Sequence, residues 1–204
     1  MQVHVLAVLR LLVTQPGGRR AVGAAAAAAP LVRLAEGGSA GTARAATAIL
    51  GHLAQEPDEV SSLVDAGAVG PLALQLRKGA PTEQQAAAGA LLALSDGAGG
   101  GAAVKAGVLP TLVKLLAAEG APGQPEAMHL LYRLAAGADT RKAVSAEAGA
   151  VAACVSTLQR AHSAAAAEHA AGTLHALAGA EAGKSKRAEI LQAVTACNRG
   201  GDRM

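Results

Sequence analysis

Three histidines in the last third of the chain, His162, His169 and His175, are the residues best suited to holding a metal ion. Their separations are seven and six positions, whereas two imidazoles share one face of a helix when they lie four positions apart. Cys154, the nearer of the two cysteines, adds no recognised ligand spacing. The pattern therefore favours surface histidines, and we predict no metal site.

A glycine-rich segment, SDGAGGG at residues 95–101, could in principle cradle a phosphate with its backbone N–H groups. A P-loop continues with Lys and then Ser or Thr, and it joins a strand to a helix. Neither feature is found here, so a loop between structural elements is the better interpretation. No nucleophile-elbow sequence is present either. We expect a protein that is not an enzyme, with no cofactor and no small-molecule substrate.

Basic residues could also bind phosphates, because the net charge is +3 and the pI is near 9.1. They are scattered apart from three short clusters, Arg19-Arg20, Arg141-Lys142 and Lys184-Lys186-Arg187. A nucleic-acid site usually concentrates basic residues on one face and adds stacking aromatic rings. Tyr132 is the only Phe, Trp or Tyr residue of the chain. We predict that the clusters are solvated surface, and we expect no nucleic-acid partner.

The cysteines and the apolar segment at residues 1–13 indicate the cellular compartment. Two cysteines, Cys154 and Cys197, do not make a disulfide framework, and Cys154 lies in an apolar stretch typical of a small core residue. Residues 1–13 are apolar but lack a basic leader and contain Arg10, so they make a poor signal peptide. No uninterrupted apolar run is long enough to span a membrane. We expect a cytoplasmic or nuclear location.

The elements that would position these residues are predicted to be helices. Roughly a quarter of the chain is alanine, and there is no Phe or Trp. Alanine and leucine favour helices, whereas strands favour β-branched and aromatic side chains. Alanine also lets helices approach closely. The composition therefore predicts an all-α protein with a thin, tightly packed core.

Two landmarks recur along the chain at the same interval. The first is a leucine near the end of a similar segment, found at Leu53, Leu94, Leu134 and Leu177, with separations of 41, 40 and 43. Continuing backward by 41 positions leads to Leu12, so the chain is predicted to begin inside a partial repeat. The second landmark is a glycine turn at Gly67, Gly107 and Gly149. Two independent landmarks with one period indicate an internal repeat.

Each repeat is predicted to contain three helices. Gly67 and Gly107 end the first helix, because glycine tolerates the left-handed conformation of a helix end. Pro71 and Pro110 then lie in the first turn of the second helix. For the third helices we predict a start at Gln124 and Pro125, a Ser163 cap, and a capping box of Thr82 and Gln85 preceded by Pro81.

The repeats divide the chain into a series of units. We predict a partial repeat at 1–18, four repeats at 19–56, 57–97, 98–138 and 139–180, and a C-terminal capping helix with a tail at 181–204. Ser185 would cap that last helix, and its apolar side would carry Ile190, Leu191, Val194 and Cys197. Because no such unit covers its own apolar face, neighbours must stack.

The segments AGVLPTLVKLL (106–116) and AGAVGPLALQL (66–76), together with the period and the three-helix unit, resemble the armadillo repeat family, in a style close to plant and algal members. The resemblance covers about residues 19–180. It implies a right-handed superhelical α-solenoid whose third helices line a concave groove for extended peptides or partner domains. Proteins of this kind include nuclear import adaptors, signalling scaffolds and the substrate-binding regions of U-box ubiquitin ligases.

The import-adaptor role is disfavoured by the groove positions. Those relatives carry a tryptophan and, four residues later, an asparagine on each third helix. The tryptophan-equivalent positions here are Ala48, Gly89, His129 and Gly172, and the asparagine-equivalent positions are His52, Ala93, Arg133 and Ala176. Neither residue type is present at any of them. Recognition of nuclear-localisation signals by that mechanism is therefore not expected.

The groove-facing residues of the third helices are the predicted partner-binding site. Residues four positions apart share a helix face. The armadillo resemblance implies which four stripes face the groove: Arg44-Ala48-His52, Gln85-Gly89-Ala93, Pro125-His129-Arg133 and Glu168-Gly172-Ala176. The binding candidates on them are Arg44, His52, Gln85, His129, Arg133 and Glu168.

The third stripe, with Tyr132 beside it, could bind a carboxylate or an acidic peptide. Ordinary helix surface is the alternative at each position. We expect an interaction scaffold for a protein or extended peptide; the alternatives are a substrate-recognition segment of a ubiquitin ligase and a structural spacer in a larger armadillo-repeat protein.

Overall fold

The computed structural model describes residues 2–24, 26–118, 120–160, 163–179, 187–188 and 190–192. Every regular element in these ranges is helical, which confirms the predicted all-α class. The chain forms two compact units, residues 1–108 and 109–204. The predictions for His162, Lys184, Ser185, Lys186, Val194, Cys197 and the tail from Asn198 lie outside the described residues.

Unit 1 contains eight α-helices in the described part of the chain. They are α1 (Gln2–Val13), α2 (Pro16–Ala24), α3 (Ala28–Gly37), α4 (Ala40–Leu53), α5 (Val60–Asp65), α6 (Val69–Lys78), α7 (Pro81–Ala93) and α8 (Ala98–Lys105). A single 3-10 turn, Pro57–Glu59, leads into α5. Helix α4 packs against α1 on one side and α7 on the other, while α3 packs on α4 and α6 on α7.

Unit 2 contains α9 (Leu109–Ala117), α10 (Gln124–Ala136), α11 (Ala138–Ala146), α12 (Ala150–Gln159) and α13 (Ala164–Gly179). Its most extensive helix pair is α10 with α13, and α12 packs on both α9 and α13. Residues 187–188 and 190–192 are helical as well, and Ile190 is buried whereas Leu191 is exposed. The repeat boundaries proposed from the sequence remain a prediction. The division into two compact units falls inside the predicted repeat at 98–138.

The cores consist mainly of leucine and alanine, with valine next, as the composition predicts. The anchors Leu53, Leu94, Leu134 and Leu177 are all buried. Leu12 behaves differently: it is 48% exposed, against 1% for Leu53. Helix α4 has α1 packed against it, whereas the side of α1 that carries Leu12 is exposed. The same apolar position is therefore core in one helix and surface in the other.

The glycine turns adopt the conformation that the sequence predicts. The φ angles of Gly67, Gly107 and Gly149 are 85°, 73° and 84°. One further turn escaped sequence analysis: Ala26, 41 positions before Gly67, has a φ of 52°. A left-handed alanine is strained, because its Cβ crowds the following carbonyl oxygen. The alanine run before α3 therefore contains the equivalent turn without the glycine that would mark it.

The third helices begin largely where the sequence predicts. Helix α10 begins at Gln124, and Ser163 caps α13 through a bond of 3.2 Å from the N–H of Ala166 to Ser163 Oγ. The capping box at Thr82 is wrong. The N-cap of α7 is Ala80, two residues before Thr82, so the helix begins at Pro81, and the N–H of Ala80 donates to Glu83 Oε2 at 2.9 Å. Proline favours the first helical position because its φ is already fixed and its missing N–H is not needed there.

Within the described ranges, no single helix is long and apolar enough to cross a membrane. Helices α8 and α9 reach the length and apolar composition of a membrane-spanning helix only when the two are counted together across the break between them.

Candidate interaction surface

The predicted stripe residues lie on the accessible sides of α4, α7, α10 and α13. Arg44, Gln85 and Glu168 are exposed, and His52, His129 and Arg133 are half-buried. The buried anchor leucines each lie one position after the last residue of a stripe. The helical spacing therefore separates the core side of each helix from its accessible side, as predicted. Whether these residues bind a partner remains a prediction.

In unit 1, an ion pair joins the accessible sides of α4 and α7. Arg44 Nε lies 3.0 Å from Glu83 Oε1, and the Arg44 side chain is 70% exposed. The other oxygen of Glu83 accepts the Ala80 N–H at the start of α7. Beside this pair the helices meet through small residues, since a Cβ built on Gly51 would lie 3.7 Å from Ala90 Cβ. The stripe positions in the sequence include Arg44, whereas no sequence signal marks Glu83 as its partner.

A second group of charges lies around Glu56 and His52, and we call Arg10, Arg19, Arg20 and His52 the basic cluster. Arg19 Nε lies 2.7 Å from Glu56 Oε1, and Arg20 Nε lies 3.5 Å from Glu56 Oε2. The hydrogen bond from Arg19, assisted by Arg20, holds the pKa of Glu56 below its usual value. Burial, followed by the positive charges of Arg19 and Arg10, lowers the pKa of His52.

In two of the basic clusters, Arg19-Arg20 and Arg141-Lys142, one residue is not the solvated surface side chain that the sequence predicts. Arg19 has a side chain only 16% exposed and paired with Glu56, although Arg20 is 77% exposed. In unit 2, Arg141 donates from Nε to the Ala135 carbonyl at 2.9 Å and from a terminal nitrogen to the Ala136 carbonyl at 2.8 Å. Cations are favoured at a helix C-terminus, where carbonyl groups lack partners within the helix. One arginine of each pair is therefore structural.

In unit 2, aromatic rings join α10 to α13. The rings of His129 and His169 are stacked with their centroids 4.0 Å apart and their planes 10° from parallel. Tyr132 stacks on His169 at 5.4 Å and 26°. Burial, and then the charge of His169, lowers the pKa of His129. His169 is half-buried, so the expectation of a surface histidine is wrong there, whereas His175 is exposed as predicted.

The ring cluster, meaning His129, Tyr132 and His169, depends on a glycine. A Cβ built on Gly172 would lie 2.6 Å from Cε2 and 3.0 Å from Cδ2 of Tyr132. The Tyr132 ring therefore occupies the space above the Gly172 backbone. In the sequence, Gly172 lies on one predicted stripe and Tyr132 lies beside another. No local spacing could pair residues that meet only when α10 packs on α13.

The remaining candidate residues have structural surroundings. Cys154 is buried, and burial raises the pKa of its thiol to about 12, so the thiol stays protonated and unreactive at neutral pH. This agrees with the predicted core role. Among the described residues, no group of three or more His, Cys, Asp or Glu side chains lies close enough to hold a metal ion.

No protein-family model matches the sequence, and no curated protein matches it. Solved structures do match. One is of computationally designed armadillo repeat proteins for modular peptide recognition; it is 22% identical, covers 92% of this chain and 79% of that one, and has a TM-score of 0.77. The chain has the fold of an armadillo-repeat α-solenoid.

Two further armadillo-like or engineered structures extend the comparison. A designed armadillo repeat protein in complex with the peptide (KR)4 is 22% identical, with a TM-score of 0.72 over 92% of this chain and 79% of that one. An engineered protein from a structural genomics consortium is 28% identical, with a TM-score of 0.76 over 94% of this chain and 47% of that one. At these identities the likeness shows the fold.

Proposed function

We propose that this chain is a protein-interaction scaffold that binds a partner protein or an extended peptide along the accessible sides of its third helices. The observation that carries the proposal is the ring cluster in unit 2. Aromatic and arginine side chains provide much of the binding energy at protein interfaces. Here Tyr132, the only tyrosine, lies half-buried on an accessible side with two imidazoles and Arg133.

The fold supports the same function. The designed armadillo proteins with this fold were made for modular peptide recognition, and one is bound to (KR)4. A repeat solenoid gathers many modest contacts along a rigid surface, so it suits an elongated partner better than a small substrate. We propose a non-enzymatic role on this basis.

The test is affinity capture from cell extract with the whole chain, followed by mass spectrometry. The variant His129→Glu/Arg133→Glu places two negative charges on α10, and we expect specific partners to be lost. A matched control, Lys114→Glu/Lys142→Glu, makes a comparable charge change at exposed positions of α9 and α11. Circular dichroism should show that each variant keeps its helical content.

The outcomes separate the candidate functions. Partners that are lost only from the α10 variant support the scaffold, and ubiquitin-ligase subunits among them would assign the chain to substrate recognition of the kind found in plant armadillo ligases. Partners that persist in both variants contradict binding at α10. A wild-type chain that captures no specific protein would favour the structural spacer.

A further inference from the structure

Helix α1 carries most of the large apolar side chains that the described part of the chain exposes. Those with substantial exposure are Val5, Val8, Leu11 and Leu12 on α1, together with Leu74 and Leu191. At about 100° of rotation for each residue, Val5, Val8 and Leu12 lie on one side of the helix, and we call these three the apolar side of α1. A contiguous apolar patch indicates an interaction site, whereas single exposed residues do not.

The repeat makes the same three positions interior in the other third helices. Leu12 is equivalent to the anchor Leu53, so Val5 and Val8 are equivalent to Ala46 and Ile49. The equivalents on α4, α7, α10 and α13 are at most 2% exposed, whereas the exposures on α1 are 48–56%. These equivalents are Ala46, Ile49, Leu53, Ala87, Ala90, Leu94, Ala127, Leu130, Leu134, Ala170, Thr173 and Leu177. The apolar side of α1 therefore occupies positions that are interior elsewhere in the chain.

The contacts between α4 and α7 show what covers such a side. A Cβ built on Gly51 of α4 would lie 3.7 Å from the Cβ of Ala90, and Ala90 is the equivalent of Val8. Helix α4 is the third helix before α7, and the two helices pack directly. The cover at this position is therefore another helix that lies alongside. On α1 the residue is valine rather than alanine, so more apolar area is exposed to water.

A second α1 meets the requirements for that cover. The covering helix needs an open apolar side, and among the described helices α1 alone exposes more than one large apolar residue. Arg10 is the only Lys, Arg, Asp or Glu of α1, and helical spacing places it roughly opposite the apolar side. Like charges on α1 therefore do not oppose pairing. A contact between two identical surfaces closes at two copies, which is the commonest symmetry of homo-oligomers.

We propose that two copies of this chain associate through α1, with their apolar sides packed antiparallel about a twofold axis near Val8. Val8 meets its counterpart, and Val5 meets Leu12 of the second copy. The contact removes apolar side chains of both copies from water. The inference is independent of the proposed scaffold function, and it adds that the scaffold presents its binding surface twice, which strengthens binding to a partner with two sites.

The size of the contact sets the strength of the dimer. Helix α1 has 12 residues and is therefore about 18 Å long. One pair of such helices covers less than the roughly 800 Å² for each partner that is typical of stable interfaces. We therefore expect a weak dimer, with a dissociation constant on the order of 100 µM.

The test is sedimentation equilibrium of the whole chain at concentrations from about 10 to 500 µM, which span the expected dissociation constant. We expect the average mass to rise from 19.9 kDa toward twice that value. Val8→Lys places a charge at the centre of the contact and should weaken association by at least about tenfold. Leu74→Lys on α6 is the matched control, since it adds the same charge at another exposed apolar residue, and it should associate like the wild type. Circular dichroism checks that each variant folds.

Disulfide trapping tests the geometry of the pair. In a Cys197→Ser background, Val8→Cys should form a covalent dimer on mild oxidation, because the twofold axis brings the two sulfur atoms together. Arg10→Cys, on the opposite side of the helix, should form much less of it. The remaining thiol, Cys154, is buried and does not compete.

Four results would overturn the inference. They are a mass of 19.9 kDa at every concentration, a dimer that Val8→Lys does not weaken, equal trapping of Val8→Cys and Arg10→Cys, and a mass that keeps rising beyond twice 19.9 kDa. The last result would mean open-ended stacking of α1 on a different surface of the second copy. Partner capture at α10 is measured separately, so the scaffold function can stand or fail without changing any of these results.

Discussion

Helices α4 and α7 of unit 1 pack against each other through different side chains from those that join helices α10 and α13 of unit 2. In unit 1 the helices approach through Gly51 and Ala90, and an exposed ion pair joins them at the rim. In unit 2 the rings of His129, Tyr132 and His169 fill the corresponding space. The backbone arrangement therefore tolerates either small residues or stacked rings.

This difference affects what each surface can do. The accessible side of unit 1 carries exposed charged groups such as Arg44, whose side chain is 70% exposed and pairs with Glu83. The accessible side of unit 2 carries rings that are already engaged with one another. The accessible side of unit 1 is therefore charged, whereas that of unit 2 is a preformed, partly apolar surface.

The largest effect is expected from a single methyl group at Gly172. Gly172→Ala should lower the free energy of unfolding by about 1–2 kcal/mol, because overpacking costs more than the gain in helix propensity. The new Cβ would displace Tyr132 and with it the stack on His169. Chemical denaturation monitored by circular dichroism measures the change.

Gly89 of α7 is the matched control, because it is the equivalent stripe position and nothing lies within 4 Å of a Cβ built there. Gly89→Ala should raise the free energy of unfolding by roughly 0.5–1 kcal/mol. If both substitutions stabilise the chain, the ring cluster does not restrict Gly172. Restored stability in Gly172→Ala/Tyr132→Ala would identify Tyr132 as the obstacle.

A smaller effect should appear on acidification. Burial and His169 lower the pKa of folded His129 below its unfolded value, so the unfolded state binds a proton more readily. Stability is therefore expected to fall as the pH decreases from about 7 through the unfolded histidine pKa, which is roughly 6.5. His52 acts in the same direction through burial, Arg19 and Arg10.

The causes of the pKa shifts of His129 and His52 can be distinguished by replacing His169. In His169→Gln the pKa of His129 should rise, because one of the causes that depress it is gone, while the pKa of His52 should stay unchanged. Titration of the imidazole resonances by NMR measures both values in one sample. An unchanged pKa of His129 would contradict the electrostatic role of the stack.

The smallest effect is expected at the exposed ion pair of unit 1. Arg44→Ala should change the free energy of unfolding by less than about 1 kcal/mol, because an exposed pair gains little from solvent-screened charges. Glu83→Ala should cost more, by roughly another 0.5–1 kcal/mol, since Glu83 also accepts the Ala80 N–H that begins α7.

High salt provides the control for this pair. It should remove most of the effect of Arg44→Ala, because screening weakens exposed charge pairs, and leave the greater part of the effect of Glu83→Ala. Equal costs for the two substitutions at every salt concentration would mean that the hydrogen bond at the start of α7 adds nothing.

Much of the fold could be predicted because its signals are local. The glycine turns at Gly67, Gly107 and Gly149 have the predicted left-handed conformation, and the anchor leucines from Leu53 onward are buried. The turn at Ala26 was missed because its residue type does not mark it. The cap at Thr82 was wrong because Pro81 was read as the end of the preceding segment, whereas it is the first residue of α7.

The candidate site was predicted only in part, because local spacing does not show which residues of different helices meet. Helical spacing placed Arg44, His52, Gln85, His129, Arg133 and Glu168 on accessible sides of their helices. It could not predict that Arg44 meets Glu83 or that His129 meets His169, because those partners lie about 40 residues apart on different helices. Whether the placed residues bind a partner is decided by the experiments above.

By itself, the sequence determined the helical class, the period near 41 residues and the accessible side of each third helix. These follow from propensity, turn chemistry and spacing, which act over a few residues. Only the tertiary structure decided that Leu12 is exposed, that Arg19 and Glu56 form a nearly buried pair, and that Gly172 admits the Tyr132 ring. Such features depend on which helix packs against which, and that depends on the summed packing of distant segments rather than on any local pattern.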